Sequence, residues 1–166
     1  MADNFNTRIT ESNTDDWLTP KWLIDMLGEF DLDPCASKSR YFDIGKTNYT
    51  IDDDGLSKEW KGRVFLNPPY GRDLPKWLKK MAESGCNGLA LIFARTDTRH
   101  FHDYVFKHSD AILFIKGRIK FEKHGMKKNQ TSNAPSCLVA YGKDEVERLV
   151  ELSNNGLGHI LYKKVP

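Results

Sequence analysis

The 166-residue chain contains no apolar run approaching the roughly 20 residues that a membrane-spanning helix requires. Its opening stretch, MADNFNTRITESNTDD, is polar and lacks the apolar core of a signal peptide. Both absences argue against membrane insertion and secretion, so the expectation is a cytoplasmic protein with no membrane partner. Cysteine is scarce: Cys35, Cys86 and Cys137 stand far apart, with no C-x-x-C pair. That spacing argues for reduced thiols and against a disulfide framework or structural zinc. His100 and His102 lack a third ligand at metal spacing, so surface or packing roles are expected and no metal site. There is no internal repeat and no low-complexity tract. The net charge of +2 is too small to announce a nucleic-acid partner by itself.

What is present fits one compact domain. Its hydrophobic fraction of 39% and charged fraction of 29% are ordinary for a globular protein. Residues 1–15 read as a flexible polar arm, and 16–166 as the domain. Charge is unevenly spread. Lys116, Arg118, Lys120, Lys123, Lys127 and Lys128 crowd one stretch, where they either neutralise phosphates or form a solvated face.

Periodicity sets out alternating elements. Thr19-Pro20 reads as an N-cap followed by proline at the first helical position, with Trp22, Leu23, Met26 and Leu27 behind it at helical spacing. Extended pieces are predicted at Phe30–Asp33, Val64–Leu66, Gly88–Ala94, Ala111–Ile115, Ser136–Tyr141 and His159–Tyr162. Helices are predicted over Leu74–Glu83, Thr98–Lys107 and Lys143–Leu152. Gly117 to Asn133 has no strong period and reads as a hairpin or loop. Strands alternating with helices of about ten residues predict βαβ units: an α/β fold with a mostly parallel twisted sheet and helices on both faces. Ligands in such folds sit beyond the carboxyl ends of the strands, which places the loops after Asp33, Leu66 and Ala94 on one rim.

The most informative segment is Asn67-Pro68-Pro69-Tyr70, directly behind a buried strand. The exocyclic amine of adenine is a poor nucleophile because its lone pair is delocalised into the ring. Methylating it takes acceptors that orient the amine, without a covalent intermediate. The side-chain oxygen of Asn67 and the carbonyl of Pro68 are two such acceptors. Pro68 and Pro69 fix the torsions and remove competing N–H donors. Tyr70 offers a flat surface for an extruded base. The competing reading is a strand-to-turn junction, since paired prolines also end strands. Similar tetrapeptides occur in enzymes that methylate protein glutamine or guanine in ribosomal RNA.

Several short segments narrow the substrate. In order they are WLTP (Trp17 to Pro20), FDLDPCAS (Phe30 to Ser37), DGLSKEWKGRVFLNPPYG (Asp54 to Gly71), the Trp77 helix, FARTDTRHFH (Phe93 to His102), KGRIKF (Lys116 to Phe121) and APSCLVAY (Ala134 to Tyr141). Through these the chain resembles the phage-type DNA N-6-adenine methyltransferase (Dam) family over roughly residues 15 to 142. The resemblance implies a Rossmann-like class I methyltransferase fold that uses S-adenosylmethionine as cofactor and double-stranded DNA as substrate. For a phage- or prophage-encoded member, the setting is host cytoplasm and restriction–modification. It also implies that Asp33 accepts from the cofactor's ammonium, with Pro34 and Ala36 beside it. Thr19 and Pro20 would lie near the methionine moiety, with Trp17 beside the pocket and Asn67 touching both cofactor and base. Without the family, Asp33 is equally a turn or cap residue and Trp17 a core aromatic.

The chain departs from the usual methyltransferase pattern in two ways. Pro34-Cys35-Ala36-Ser37 has no glycine where a glycine-rich turn normally follows the acid. About thirty residues separate DLDP from NPPY, too few for two intervening βα units, so the fold is expected to be abbreviated. Asp52, Asp53 or Asp54 is the candidate carboxylate for the cofactor ribose, and Asp54 is taken as the site residue; a solvated turn is the alternative. Arg95, Thr96 and Asp97 should line the rim with Tyr70, with Arg95 on a phosphate or the target base. An N-capping turn explains the same residues. Arg118 and Lys120 are placed on DNA, against a strand-edge lysine that discourages aggregation.

Three functions stay in view: DNA adenine methylation, methylation of RNA or protein glutamine by the same loop, and a cofactor- or DNA-binding relic that blocks restriction. Target recognition must come from loops, residues 117–133 above all, from the N-terminal arm, or from a second copy in a homodimer.

Overall fold

The computed structural model describes residues 17–121 and 130–162. The polar arm and the middle of the basic segment, with Lys123, Lys127 and Lys128, lie outside the described residues.

Helix α1 (Lys21–Leu27) begins directly behind Pro20, whose φ of −64° and ψ of 138° are extended. No side chain caps it. Thr19 is therefore not the N-cap that the Thr-Pro pair predicts, and Pro20 lies just outside the helix. The Thr19 hydroxyl has another partner, described below. Leu23, Ile24 and Leu27 give α1 its buried face.

Strands β1 (Phe30–Asp33), β2 (Gly45–Asn48), β3 (Val64–Leu66), β4 (Gly88–Phe93), β5 (Ala111–Ile115), β8 (Ser136–Tyr141) and β9 (Gly158–Tyr162) form one sheet, ordered β2-β1-β3-β4-β8-β5-β9. Neighbours among β2, β1, β3 and β4 pair in parallel. Strand β8 is antiparallel to both β4 and β5, and β9 to β5. Strands β1 to β5 thus share one direction, and β8 and β9 oppose it. The sheet is therefore mixed, and of the link from β5 to β8 residues 116–121 and 130–135 are described. That link contains a small antiparallel pair, β6 (Lys120–Phe121) with β7 (Gln130–Thr131), the base of the hairpin expected there.

Alternate residues of the strands enter two apolar layers. Phe65, Leu89, Leu91, Leu113 and Leu138 pack with α1 and with helix α3 (Lys143–Asn154). Val64, Leu66, Ala90, Ile92, Ile112 and Val139 pack with helix α2 (Leu74–Glu83) and a π-helical turn at Phe101–Phe106. Helices therefore cover both faces. Trp77, Leu78 and Met81 of α2 point inward at the predicted spacing, as do Phe101 and Val105 of the π turn. Between β1 and β3 the chain forms only β2 and turns, with no helix, so this connection is short, as the DLDP–NPPY spacing implies. No helix among the described residues is long and apolar enough to cross a membrane.

The order β2-β1-β3 contains the decisive feature. From β1 the chain leaves to one side for β2, then returns to the other side as β3. At such a reversal the loops beyond the strand ends diverge and leave a crevice.

Candidate active site

That crevice is a cavity of about 540 Å³ at the carboxyl ends of β1 and β3. The turn after β1 lines it with Asp33, Pro34, Cys35 and Ala36, and the loop after β3 with Asn67, Pro68, Pro69 and Tyr70. Trp17 and Thr19 close one side, and Asp54 stands on another. Ten of the residues singled out from sequence therefore surround one space. Pro20, Arg95, Thr96, Asp97, Arg118 and Lys120 do not line it.

The two loops touch directly. The Cys35 thiol donates to the backbone carbonyl of Asn67 at 3.2 Å. Burial pushes that thiol well above its usual range, so it stays protonated and able to donate. The Asn67 side chain is turned the other way: Nδ2 donates to the Trp17 carbonyl at 3.1 Å and to Thr19 Oγ1 at 3.0 Å.

Asp33 ends β1 almost fully buried, 5% exposed. It accepts from the Cys35 backbone N–H at 3.1 Å, and no cation pairs with it at contact distance among the described residues. Desolvation dominates, and its pKa is pushed up to about 7. Arg40 lowers it through space without forming a contact pair, so a cationic ligand would supply a direct counter-charge.

The three acids at 52–54 differ in their partners. Asp52 pairs with Lys38 at 2.5 Å. Asp53 accepts from the Thr50 backbone N–H at 2.8 Å and its hydroxyl at 2.9 Å. Asp54 lines the cavity, and its backbone φ of 50° is the only positive value at a non-glycine among the described residues. The following Gly55 lies so close to the β1 turn that a Cβ there would stand 1.9 Å from the Pro34 carbonyl oxygen. Only glycine lets the two loops approach in this way.

Tyr70 stacks on Phe93 with ring centroids 4.1 Å apart and planes 12° from parallel. Its hydroxyl is buried with no hydrogen-bond partner among the described residues. Phe93 meets Phe121 edge-on at 6.4 Å, and Phe121 meets Trp17 at 6.2 Å. This aromatic chain joins the Asn67 loop to the base of the hairpin. There Ile119 and Phe121 are buried while Arg118 and Lys120 face outward. Arg95, Thr96 and Asp97 form an exposed turn two to four residues beyond Phe93. The Arg95 carbonyl accepts from the Thr98 backbone at 3.1 Å and hydroxyl at 2.7 Å, so Thr98, not Asp97, closes this turn. His100 Nε2 lies 3.2 Å from Thr98 Oγ1, and His102 packs edge-on to Phe106.

Cavity residues that the sequence did not single out include Tyr41, Ile51 and Leu56. Tyr41 and Ile51 are 57% and 85% exposed, large apolar groups at the cavity's rim. Their signal was faint, since isolated apolar residues in a loop are common on protein surfaces.

A family model described as DNA N-6-adenine-methyltransferase (Dam) matches residues 6–155 of the chain. No curated protein and no solved structure matches it.

Proposed function

The chain belongs to the DNA N-6-adenine-methyltransferase (Dam) family, and on that premise we propose that it methylates the exocyclic amine of adenine in double-stranded DNA, with Asn67-Pro68-Pro69-Tyr70 as its catalytic loop and S-adenosylmethionine as cofactor. The observation that carries this reading is the meeting of that loop and the Asp33 turn across one cavity at the sheet's reversal point. The fold is then an abbreviated Rossmann-like class I methyltransferase, one domain over residues 16–166.

The cavity suits such a cofactor. Its volume lies within the range of small-molecule sites. Its lining offers a buried acid with no cation in contact, Asp33, and a second carboxylate, Asp54, among apolar side chains. S-adenosylmethionine, when bound, supplies an electrophilic methyl on a sulfonium. Asp33 accepts from its ammonium, with Pro34, Ala36, Trp17 and Thr19 around the methionine end. Asp54 accepts from the ribose hydroxyls, the role its side chain is left to fill once Asp52 and Asp53 are paired.

The chain's own chemistry is positioning. Asn67 Oδ1 and the Pro68 carbonyl accept the two hydrogens of the target amine. Pro68 accepts no hydrogen bond from the described residues, so that oxygen is available. Two aligned acceptors return electron density to the nitrogen and fix its angle of attack. Tyr70 stacks on the extruded base. Phe93 covers one face of its ring, so the base takes the other face or parts the two rings. Arg118 and Lys120 on the hairpin, and Arg95 with Thr96 and Asp97 on the neighbouring turn, bind DNA around the extruded base.

The test is labelled methyl transfer onto duplex DNA, RNA and protein, followed by base analysis. Label in adenine of duplex DNA, lost at least a hundredfold in Asn67→Ala, is the expected outcome. Label in RNA or glutamine, or a protein that binds cofactor and never methylates, overturns the reading.

A further inference from the structure

We propose that the Trp17–Thr19 segment is a positioning element for Asn67, with Thr19 as its testable side chain, and that it sets which atom of the Asn67 amide faces the cavity. The proposal rests on the catalytic role given above to Asn67.

An asparagine amide presents two donors at one end and an acceptor at the other, and a half-turn exchanges them. Methylation of an amine needs the acceptor end toward the substrate. The amide nitrogen would offer donors to an amine that must itself donate. The partner of Asn67 decides which end is which. The Trp17 backbone carbonyl can only accept, so the atom 3.1 Å from it must be nitrogen. Thr19 Oγ1, 3.0 Å from the same Nδ2, accepts the second hydrogen. With both hydrogens committed to the Trp17–Thr19 segment, Oδ1 is the end left to meet a substrate in the cavity that Asn67 lines. Thr19 is 3% exposed, so water does not compete for this bond. The Cys35 thiol holds the backbone carbonyl of the same residue, which leaves the side chain no slack at its root.

This explains why Thr19 is not spent on capping α1, where a threonine before proline would otherwise serve. It also explains why a segment about fifty residues upstream is drawn against the loop behind β3. The flanking prolines fix the backbone of the loop, but χ angles of Asn67 need a partner outside it.

Thr19→Val keeps the shape and deletes the acceptor, and Thr19→Ser restores it. Two readouts separate the outcomes. In the full-length protein labelled with 15N-asparagine, the Asn67 side-chain protons, identified by their loss in Asn67→Asp, should exchange slowly with solvent. In Thr19→Val one of the pair should exchange at least tenfold faster, and in Thr19→Ser neither. In methyl transfer at saturating cofactor, Thr19→Val should lower kcat about tenfold, and Thr19→Ser should recover most of it. Unchanged exchange in Thr19→Val overturns the proposal, whatever the activity. So does a loss carried wholly by cofactor Kd, which would make Thr19 a cofactor contact only. A wild-type protein that transfers no methyl to adenine sinks the catalytic reading instead, while proton exchange still decides whether Thr19 holds the amide.

Discussion

Two aspartates of one strand, Asp31 and Asp33, have opposite surroundings. Asp31 accepts from the Arg63 backbone N–H at 2.9 Å and pairs with Lys46 at 2.8 Å, and these partners hold its carboxyl below the usual range. Asp33, two residues on, is buried without a cation in contact, and desolvation raises it to about 7. The contrast extends to the two ends of the parallel strands. At the amino end, Arg63 forms a two-pronged pair with Glu145 at 2.5 and 2.8 Å, donates to the Glu29 carbonyl at 2.8 Å and lies 4.2 Å over the Phe30 ring. Glu145 is 2% exposed and its two oxygens are matched. At the carboxyl end, Asp33, the Tyr70 hydroxyl and the Pro68 carbonyl are all short of partners. Satisfied polar groups hold a fold in register, whereas unsatisfied ones are sites for something else to bind. The amino end is scaffold, and the proposed function makes the carboxyl end the working end.

Removing a scaffold partner should have the largest effect. Arg63→Ala leaves Glu145 buried with an unpaired charge, a change that typically costs about 3–5 kcal/mol. For a chain of this size the melting temperature should fall by on the order of 10 °C, read by calorimetry or circular dichroism. Cofactor Kd of the folded fraction, measured well below the transition, should stay within about twofold of wild type. A variant that keeps its melting temperature but loses cofactor affinity would break the division between the two ends.

The reverse pattern is expected at Asp33. Asp33→Asn removes a charge that burial disfavours, so stability at neutral pH should hold or rise while cofactor affinity falls about tenfold or more. The pH dependence has a definite sign. The folded pKa of about 7 lies above the ordinary 3.8. The stability that the raised pKa contributes is fully present below about 4 and is lost as pH rises through about 7. A cationic ligand needs the ionised form, so its affinity should move the other way. Titration calorimetry from about pH 5.5 to about pH 7 should show Kd for S-adenosylmethionine tightening by about fifteenfold in all, with the trend flattened in Asp33→Asn. A wild-type Kd flat across that window would show that Asp33 does not meet the ammonium.

The same division explains what could be read in advance. Val64–Leu66 with its two prolines, and Trp77, Leu78 and Met81 of α2, carry their signals locally, in residue type and period, and the structure has them as predicted. Gly45–Asn48 carries no such signal. Its strand exists because Gly45 fits against the Asp33 and Leu32 backbone, where a Cβ would come within 2.7 Å, and because Asn48 bonds back to Gly45. Nothing in GKTN announces that pairing. The direction of β8 was hidden for a related reason. Its apolar run is the same whether it runs parallel or antiparallel. Within the site, the Asn-Pro-Pro-Tyr loop was legible because its chemistry lies within four consecutive residues. Thr19 was assigned by a local rule, N-capping, but its partner is Asn67, a contact across the fold that no local pattern encodes. Tyr41 and Ile51 were missed because a cavity wall has no period.

The smallest effect is expected outside the cavity, where the working end meets the hairpin. Ile119 and Phe121 are 2% and 1% exposed, and their burial turns Arg118 and Lys120 to the opposite, solvent side. The aromatic contacts Phe121–Phe93–Tyr70 hold that basic face beside the Asn-Pro-Pro-Tyr loop. If Lys120 meets a phosphate, Lys120→Ala should leave stability and cofactor Kd unchanged. It should reduce the slope of log K for duplex DNA against log salt by about one. Arg118→Ala should do the same, and the double variant should lose about two if the contacts are independent. The measurement is fluorescence anisotropy over a salt series. A slope unchanged in all three variants would assign this face to edge protection, the strand-end lysine serving only to discourage pairing with another sheet. DNA would then have to reach Tyr70 past the exposed Arg95 turn instead, and Arg95→Ala in the same salt series would show the missing unit of slope.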